Sequence, residues 1–520
     1  MKPFLPALGA LVLVGTGLGA LSAPAVAAGE MCGNLPATLV VPADQGAVPF
    51  EGTAGDDVIF VTGTAEVRGL GGNDVICGPT NAPASTGGHW FGGDGDDTLT
   101  STSASLDGGD GNDTLTGAAG TLDGGAGNDV ITGNGTTALI GGDGADTITG
   151  TSGTLDGGAG NDVLTGNGAT AITGGDGDDT LTSTTATLDG GAGNDKLSGG
   201  GKTLDGGAGN DQVRGGDGDN TVLGGPGDDV LWGGPGADVL DGGDGTDVIH
   251  ASGRDRIRVG GPSRTTIDAT ARTIDGPGGR DTYTGSPIIW APDVTDETFI
   301  GSNRADVFIS GGGADLIYGS GGNDRLSAVQ PTRLEGGPGD DDITVAFGGR
   351  VRAGAGDDRI RTLLTTDDAP EGVKAQPFNI EGNTGDDIVY AASLITGGAL
   401  VNPVPADQMW SGRVRGGVGW DRIVFTPIRT AVNANMLTGQ ATWAGGTMTL
   451  SGVQALWGTP GNDVLVGNGG RNSLLGGAGD DELVGNGGRD DLRGSGGFDR
   501  LDGGPSIDRC RGEVKVSCER

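Results

Sequence analysis

From Gly92 onward a nine-residue pattern governs the chain, Gly-Gly-x-Gly-x-Asp-x-(Leu/Ile/Val)-x, opening as Gly92-Gly93-Asp94-Gly95-Asp96-Asp97-Thr98-Leu99-Thr100. Further copies start at Gly108, Gly124, Gly141, Gly157, Gly174, Gly190, Gly206, Gly215, Gly224, Gly233 and Gly242, and isolated ones at Gly336, Gly416 and Gly476. Fifteen copies keep all three glycines with Asp or Asn at position six, which excludes coincidence. A short fixed period means a repeat architecture, in which each unit buries its apolar residue by stacking on the next. The 114 glycines, 4% aromatic and 34% apolar residues suit one narrow core and not several compact ones.

Each position has a physical role. Glycines at positions one, two and four are expected to supply the positive φ angles of a tight turn and to let carbonyl oxygens converge. Asp at position six offers a hard carboxylate oxygen, the ligand type calcium prefers. The aliphatic residue at position eight points inward. The repeat resembles the RTX, or haemolysin-type calcium-binding, nonapeptide family. Good matches cover 92–250 and 458–509, with weaker ones at 52–76 and 301–424. The resemblance implies an all-β fold, a parallel β-roll (β-solenoid) built from Gly/Asp-rich nonapeptides. In that family each nonapeptide makes a calcium-binding turn and a short strand, and two make one coil. Multiple Ca2+ ions lie between successive turns along the edges of two parallel sheets.

Spacing adds detail. The position-six residues Asp97, Asp113, Asp129, Asp146, Asp162, Asp179, Asp195 and Asp211 stand 16 or 17 apart. A second apolar ladder lies between them: Leu106, Leu122, Leu139, Leu155, Ile172, Leu188 and Leu204. One coil of this block is therefore a calcium turn, a strand, a plain Ser/Thr/Ala/Gly turn and a second strand, with calcium on one edge only. After Asp211 the period falls to nine: Asp229 and Asp247 continue the first edge, while Asn220 and Asp238 open the opposite one. Farther on, Asp306, Asp315 and Asp324 keep the nine-residue step, Asp341 and Asp358 follow at 17, and Asp387 and Asp421 at longer intervals. Residues 431–461 read as a calcium-free spacer. In the last block Asp463, Asp481 and Asp499 form one edge, and Asn472, Asp490 and Asp508 the other. The candidate metal ligands are these Asp and Asn residues from Asp97 to Asp358 and from Asp463 to Asp508.

The termini suggest a compartment. A basic start, an apolar run over 4–21 and Ala25-Val26-Ala27-Ala28 read as a secretory signal peptide over 1–28, which places the mature chain outside the cell. Four cysteines fit that setting and pair naturally as Cys32–Cys77 and Cys510–Cys518. The expected organisation is an N-terminal cap with degenerate repeats and a disulfide over 29–91, a main calcium roll over 92–250 and degenerate repeats with spacers over 251–457. A second calcium roll over 458–509 and a disulfide cap over 510–520, shielding the last strand edge, complete it. Arginine outnumbers lysine 26 to 5, the bias of a GC-rich, actinobacterial-like genome.

Other classes are disfavoured. With 69 acidic against 31 basic residues and a net charge of −38, the chain repels nucleic acid and anionic lipid. No segment after the leader is long and apolar enough for a membrane span. No HExxH or GxSxG occurs, and Gly201-Lys202-Thr203 lacks the first glycine of a phosphate loop because Lys196 stands there. His89 and His250 read as surface residues. The expected function is calcium binding by a secreted structural or interaction module that folds on calcium, with extracellular or cell-surface glycans or proteins as partners and no catalytic residues. The competing reading is a secreted polysaccharide-acting enzyme with its site in 262–460, where Trp290, Trp410, Trp420, Trp443 and Trp457 stack on sugars.

Overall fold

A computed structural model describes residues 30–43, 48–79, 88–251 and 255–518, less 259–265, 269–271, 276–279, 285–287, 292–295, 330, 332, 366–376, 392–393, 397–398, 401–409, 427, 429 and 445. The signal-peptide segment falls outside the described residues. Among those described there is no helix; the chain is a parallel β-solenoid of about 23 turns. It divides into two compact units, 1–216 and 217–520.

From His89 to the end of the first unit every coil repeats one plan. A six-residue strand such as Ser105–Asp110 lies in the first sheet, and a turn carrying Asp113 leads into the four-residue strand Thr114–Gly117 of the second sheet. A plain turn then returns the chain to Thr121–Ala126. Like residues stack in register. Leu106, Leu122, Leu139, Leu155, Ile172, Leu188 and Leu204 form one inward column. Leu99, Leu115, Ile131, Ile148, Leu164, Leu181, Leu197 and Val213 form the facing one. All of these are at most 2% exposed, so the core is two aliphatic columns wide, as the period requires. Side chains alternate across each strand, which sends Thr, Val and Asp outward between the buried positions.

The glycines divide in a way the repeat alone does not reveal. Positions two and four take positive φ, as at Gly158 (+104°) and Gly160 (+131°). Position one does not, contrary to expectation; it is glycine because there is no room. A Cβ on Gly157 would lie 2.3 Å from Oδ2 of Asp162 and 2.4 Å from the carbonyl of Gly174 in the next coil. The plain turns close by other means. Ser101 Oγ accepts the amides of Ser103 and Ala104, and Ser183 Oγ accepts those of Thr185 and Ala186 while donating to Gly166 O. Ala104, Ala169 and Ala186 fill these turns from inside.

The second unit keeps the coil despite its weaker sequence. Strand pairing runs unbroken past residue 250, where Val239–Asp244 pairs with Arg256–Arg258. It also runs past 457, where Ala455–Trp457 pairs with Ser473–Ala478. Aromatics replace aliphatics inside: Phe299 and Phe308 touch at 5.2 Å between ring centroids. The spacer over 431–461 is an antiparallel meander, Val432–Asn435, Gln440–Trp443 and Gly446–Ser451, inserted into the second sheet. Its first strand pairs parallel with Val464–Val466 and its last with Trp410–Val418. At the ends, Cys32–Cys77 and Cys510–Cys518 are bonded, the first beside Phe60, Ala37 and Val40.

Close stacking at the turns yields a test. Gly160→Ala places a Cβ 1.9 Å from Gly144 O at a positive φ, whereas a Cβ on Gly469 meets nothing within 4 Å. Strain of this kind costs about 1–3 kcal/mol. Thermal unfolding of the calcium-loaded protein should show Gly160→Ala destabilised by at least that amount and Gly469→Ala unchanged.

Candidate metal centre

On one edge of each first-unit coil, and on one or both edges in the second unit, an acidic residue stands at the start of a strand, and these residues form rows. In the first unit the amide of each Asp donates to Oδ1 of the Asp one coil ahead, at 2.7–2.8 Å, from Asp57 through Asp74, Asp97, Asp113, Asp129, Asp146, Asp162, Asp179 and Asp195 to Asp211. A second row at position five runs the other way on the exposed rim: Asn112 N donates back to Asp96 Oδ1, and Asn128 N to Asn112 Oδ1. The inner carboxylates are sealed, with Asp97 to Asp211 each 1% exposed.

Oδ1 is therefore satisfied by the fold; Oδ2 is not. In Asp74, Asp97, Asp113, Asp129, Asp146, Asp162, Asp179 and Asp195 this oxygen is buried with no hydrogen-bond partner. It faces the position-one glycine together with a main-chain carbonyl: beside Gly92 stand Asp97 Oδ2 and Gly108 O, beside Gly108 stand Asp113 Oδ2 and Gly124 O. A buried anionic oxygen without a donor is costly, by at least a few kcal/mol each. Carboxylates about 5 Å apart also repel by about 3 kcal/mol at an effective dielectric of 20. The carboxyls respond by holding their protons: burial, then the neighbouring Asp113 and Asp74 charges, push Asp97 up to about 7. Asp179 is likewise pushed up to about 7 and Asp358 to about 8, burial being the largest cause in both. No group of three His, Cys, Asp or Glu side chains stands together among the described residues. What the turns offer a cation is one carboxylate per coil with backbone carbonyls, the oxygen donors that suit calcium.

In the second unit the rows occupy both edges. On the first edge Asp229 N donates to Asp247 Oδ1, and Asp463, Asp481 and Asp499 link in turn and end on Glu513. Asn220, Asp238 and Asp255 link on the second edge. So do Asp306, Asp324, Asp341, Asp358, Asp387 and Asp421, ending on Gln454 Oε1. Asn472, Asp490 and Asp508 complete that edge. Through the middle of this unit the acidic row thus lies on the edge that is plain in the first unit.

Some rungs differ. At three turns where Thr, Ser or Asn stands in place of the second glycine its amide fills the acceptor: Thr53 N to Asp57 Oδ2, Ser302 N to Asp306 Oδ2, Asn468 N to Asn472 Oδ1. Ser320, Asn383, Asn486 and Ser495 instead keep the positive φ of glycine and leave Oδ2 of Asp324, Asp387, Asp490 and Asp499 without a partner. Thr459 gives Asp463 both amide and hydroxyl, and Ser310 Oγ donates to Asp315. Asp57, Asp306 and Asp463 each begin a row, with no acid of the same row behind them.

Sequence reasoning nominated none of Asp57, Asp74, Asp255, Glu297, Asp387 and Asp421, although all are strand-start acids with the same placement; Asp421 even closes the full copy at Gly416. The signal was the second half of the repeat, an acid two residues before an inward Ile, Val or Phe, as in Asp74-Val75-Ile76 and Asp387-Ile388-Val389. Three of the tryptophans are engaged with separate partners. Trp443 packs inside against Phe425, Trp457 lies under Arg422 and Trp420 under Arg471.

A parallel β-roll with sealed carboxylate rows along its edges belongs to the cation-binding class of solenoids. A family model, the RTX calcium-binding nonapeptide repeat (4 copies), matches residues 105–121, 120–137, 140–170, 151–181, 182–201, 203–231, 223–253, 295–328, 457–492 and 484–513. The chain is an RTX calcium-binding repeat protein. No curated protein matches it. The carboxylate rows reach beyond the matched segments, at Asp57, Asp74 and Asp97 and from Asp341 to Asp421.

The raised pKa values set a pH dependence for the metal-free chain. A carboxyl raised above its ordinary 3.8 in the fold stabilises the fold fully below that value, and the contribution is lost as pH rises through the folded value, here about 6 to 8. Metal-free protein should gain β-structure by circular dichroism as pH falls from about 8 to about 5. Equal spectra at both ends would contradict the sealed-carboxyl arrangement.

Proposed function

We propose that the protein is a secreted module that calcium folds, with the ions held along the carboxylate rows, and that it acts outside the cell as a structural or interaction element and not as an enzyme. The observation that carries this reading is the buried, partnerless Oδ2 repeated coil after coil beside a main-chain carbonyl. A divalent cation between successive turns converts like-charge repulsion into shared coordination, so that binding free energy becomes folding free energy. In the first unit Asp74, Asp97, Asp113, Asp129, Asp146, Asp162, Asp179, Asp195 and Asp211 hold ions on one edge, and the Ser/Thr/Ala turns hold none. In the second unit the row from Asp324 to Asp421 works on the opposite edge, joined by Asp229, Asp238, Asp247, Asp481, Asp490, Asp499 and Asp508. Asp306, Asp315, Asp463 and Asn472, already supplied with protein donors, serve as row ends that order the next turn. The leader over 1–28 and the bridged cysteines support an extracellular setting.

Circular dichroism in chelator and then in millimolar calcium tests the folding claim: β-structure should appear with calcium, and a spectrum indifferent to chelator would defeat it. Position is tested by a pair of variants. Asp162→Ala removes one member of the sealed row and should weaken calcium uptake at its neighbours, lowering the midpoint of folding. Thr184→Ala, on an exposed plain turn, should leave uptake and midpoint unchanged. Equal behaviour of the two variants would show that the rows are not where calcium binds.

A further inference from the structure

The chain carries a net charge of −38, yet 24 of its 26 arginines lie between 217 and 520. Four of them, Arg325, Arg359, Arg361 and Arg422, share one face. In the first sheet of the second unit the strands Arg325–Val329, Asp342–Ala346, Arg359–Thr365, Ile388–Tyr390, Arg422–Val424 and Ala455–Trp457 pair in parallel register. Alternation turns Leu326, Ile360, Val389 and Ile423 into the core, so their flanking residues, the buried Val424 excepted, form two outward columns. One column reads Arg325, Asp342, Arg359, Ile388, Arg422; the other passes through Arg361, Tyr390 and Trp457.

Three features make this face a receptor for anions. Among the described residues only Asp342 forms an ion pair with an arginine of this face, Arg361, and Arg325 and Arg359 have no ion-pair partner. Two guanidinium groups lie over aromatic rings, Arg422 at 4.1 Å from the Trp457 centroid and Arg361 at 5.8 Å from that of Tyr390. A stacked guanidinium keeps its planar edge for a paired contact with a carboxylate. Arg422 Nε, moreover, is buried without a hydrogen-bond partner. In the first column an arginine recurs every second coil, roughly 10 Å at the usual strand spacing. In the first unit the position before the inward residue, which Arg325 and Arg359 hold here, carries Ser105, Thr121 and Thr154. The position after it, which Arg361 and Tyr390 hold here, carries acids, Asp107, Asp123 and Asp156 among them, so the basic character is not a property of the fold.

We propose that this face binds an extended anionic glycan, one whose acidic sugar recurs at every second residue and so offers carboxylates at the period of the arginine column. Charge density separates such a chain from nucleic acid. Duplex DNA carries a charge about every 1.7 Å and is repelled as a whole by so acidic a protein. A glycan with one charge per disaccharide meets the arginines with far less opposition. The site borders the acidic row, since Arg325, Arg359 and Arg422 directly follow Asp324, Asp358 and Asp421, but its side chains point outward and need calcium only for the chain to be folded.

Hyaluronate, with one carboxylate per disaccharide, is the probe, with dextran and duplex DNA beside it, on full-length calcium-loaded protein whose β-structure is verified by circular dichroism. Saturable, salt-sensitive binding of hyaluronate and none of dextran is expected. The Arg325→Gln/Arg359→Gln double variant should lose about tenfold or more in affinity, the worth of one charged contact. Thr114→Glu/Thr149→Glu, which changes net charge by the same amount on an exposed face of the first unit, should lose little. Equal losses in both variants would reduce the effect to overall charge and overturn the site. No binding of hyaluronate by folded protein would overturn it too, and DNA bound as tightly as hyaluronate would overturn the choice of a glycan. Failure of folding in calcium, seen in the spectrum, would instead count against the calcium reading.

Discussion

Everything in this structure depends on one buried carboxylate oxygen per coil. The fold spends one oxygen of each edge Asp on the amide of its neighbour, which fixes the register of the turns. The other oxygen is sealed beside a glycine that has no side chain to offer. Such a row cannot be neutral in free energy: it is protonated, ion-bound or unfolded. Calcium is the counter-ion that the donor chemistry admits, and the family to which the chain belongs is one of calcium-binding repeats. In the proposed reading the sealed oxygen therefore makes folding conditional.

The narrow core explains why that condition is strict. Two aliphatic columns supply each coil with little more than one buried Leu, Ile or Val per strand, and each coil touches only its neighbours. Apolar burial of about 1.5–3 kcal/mol per side chain is of the same order as the repulsion between adjacent carboxylates. Small differences in the turns then decide whether a coil closes. Where the second glycine is replaced by Thr53, Ser302 or Thr459, the protein supplies the missing donors itself, and these are the turns at which a row begins. On the plain edge of the first unit Ser101 and Ser183 supply a hydroxyl cap and small buried residues fill the turn, so no ion is called for.

The outer faces are free of these constraints, because only inward and edge positions are dictated by stacking. The first unit leaves its second sheet largely uncharged, with threonine columns such as Thr98, Thr114, Thr100 and Thr116. The second unit uses the same freedom differently: Glu335, Arg352, Glu381 and Arg415 alternate along its second sheet as an ion-pair ladder. Its first sheet presents the stacked arginines. Identical backbone rules thus carry surfaces of opposite chemistry.

The sequence by itself determined the repeat, the fold class, the two inward columns and the side of the coil on which the first unit places its acids. Each of these follows from a period, and a period survives unfolding on to paper. It also exposed the residues that close the ends, Cys32, Cys77, Cys510 and Cys518. Only the tertiary structure decided the rest. Strand-start acids such as Asp74, Asp255 and Asp387 escaped because they keep the half of the repeat that faces the core but lack one or more of its three glycines, the second being Leu70 before Asp74 and Asn383 before Asp387. Their kinship with Asp97 appears only when successive coils lie side by side and amide meets carboxylate. The reason for the first glycine, steric and not conformational, needs the neighbouring coil as well. So does the gathering of Arg325, Arg359 and Arg422 on one face, since nearly a hundred residues of chain, with insertions of unequal length, separate positions that the sheet brings within four strands of one another.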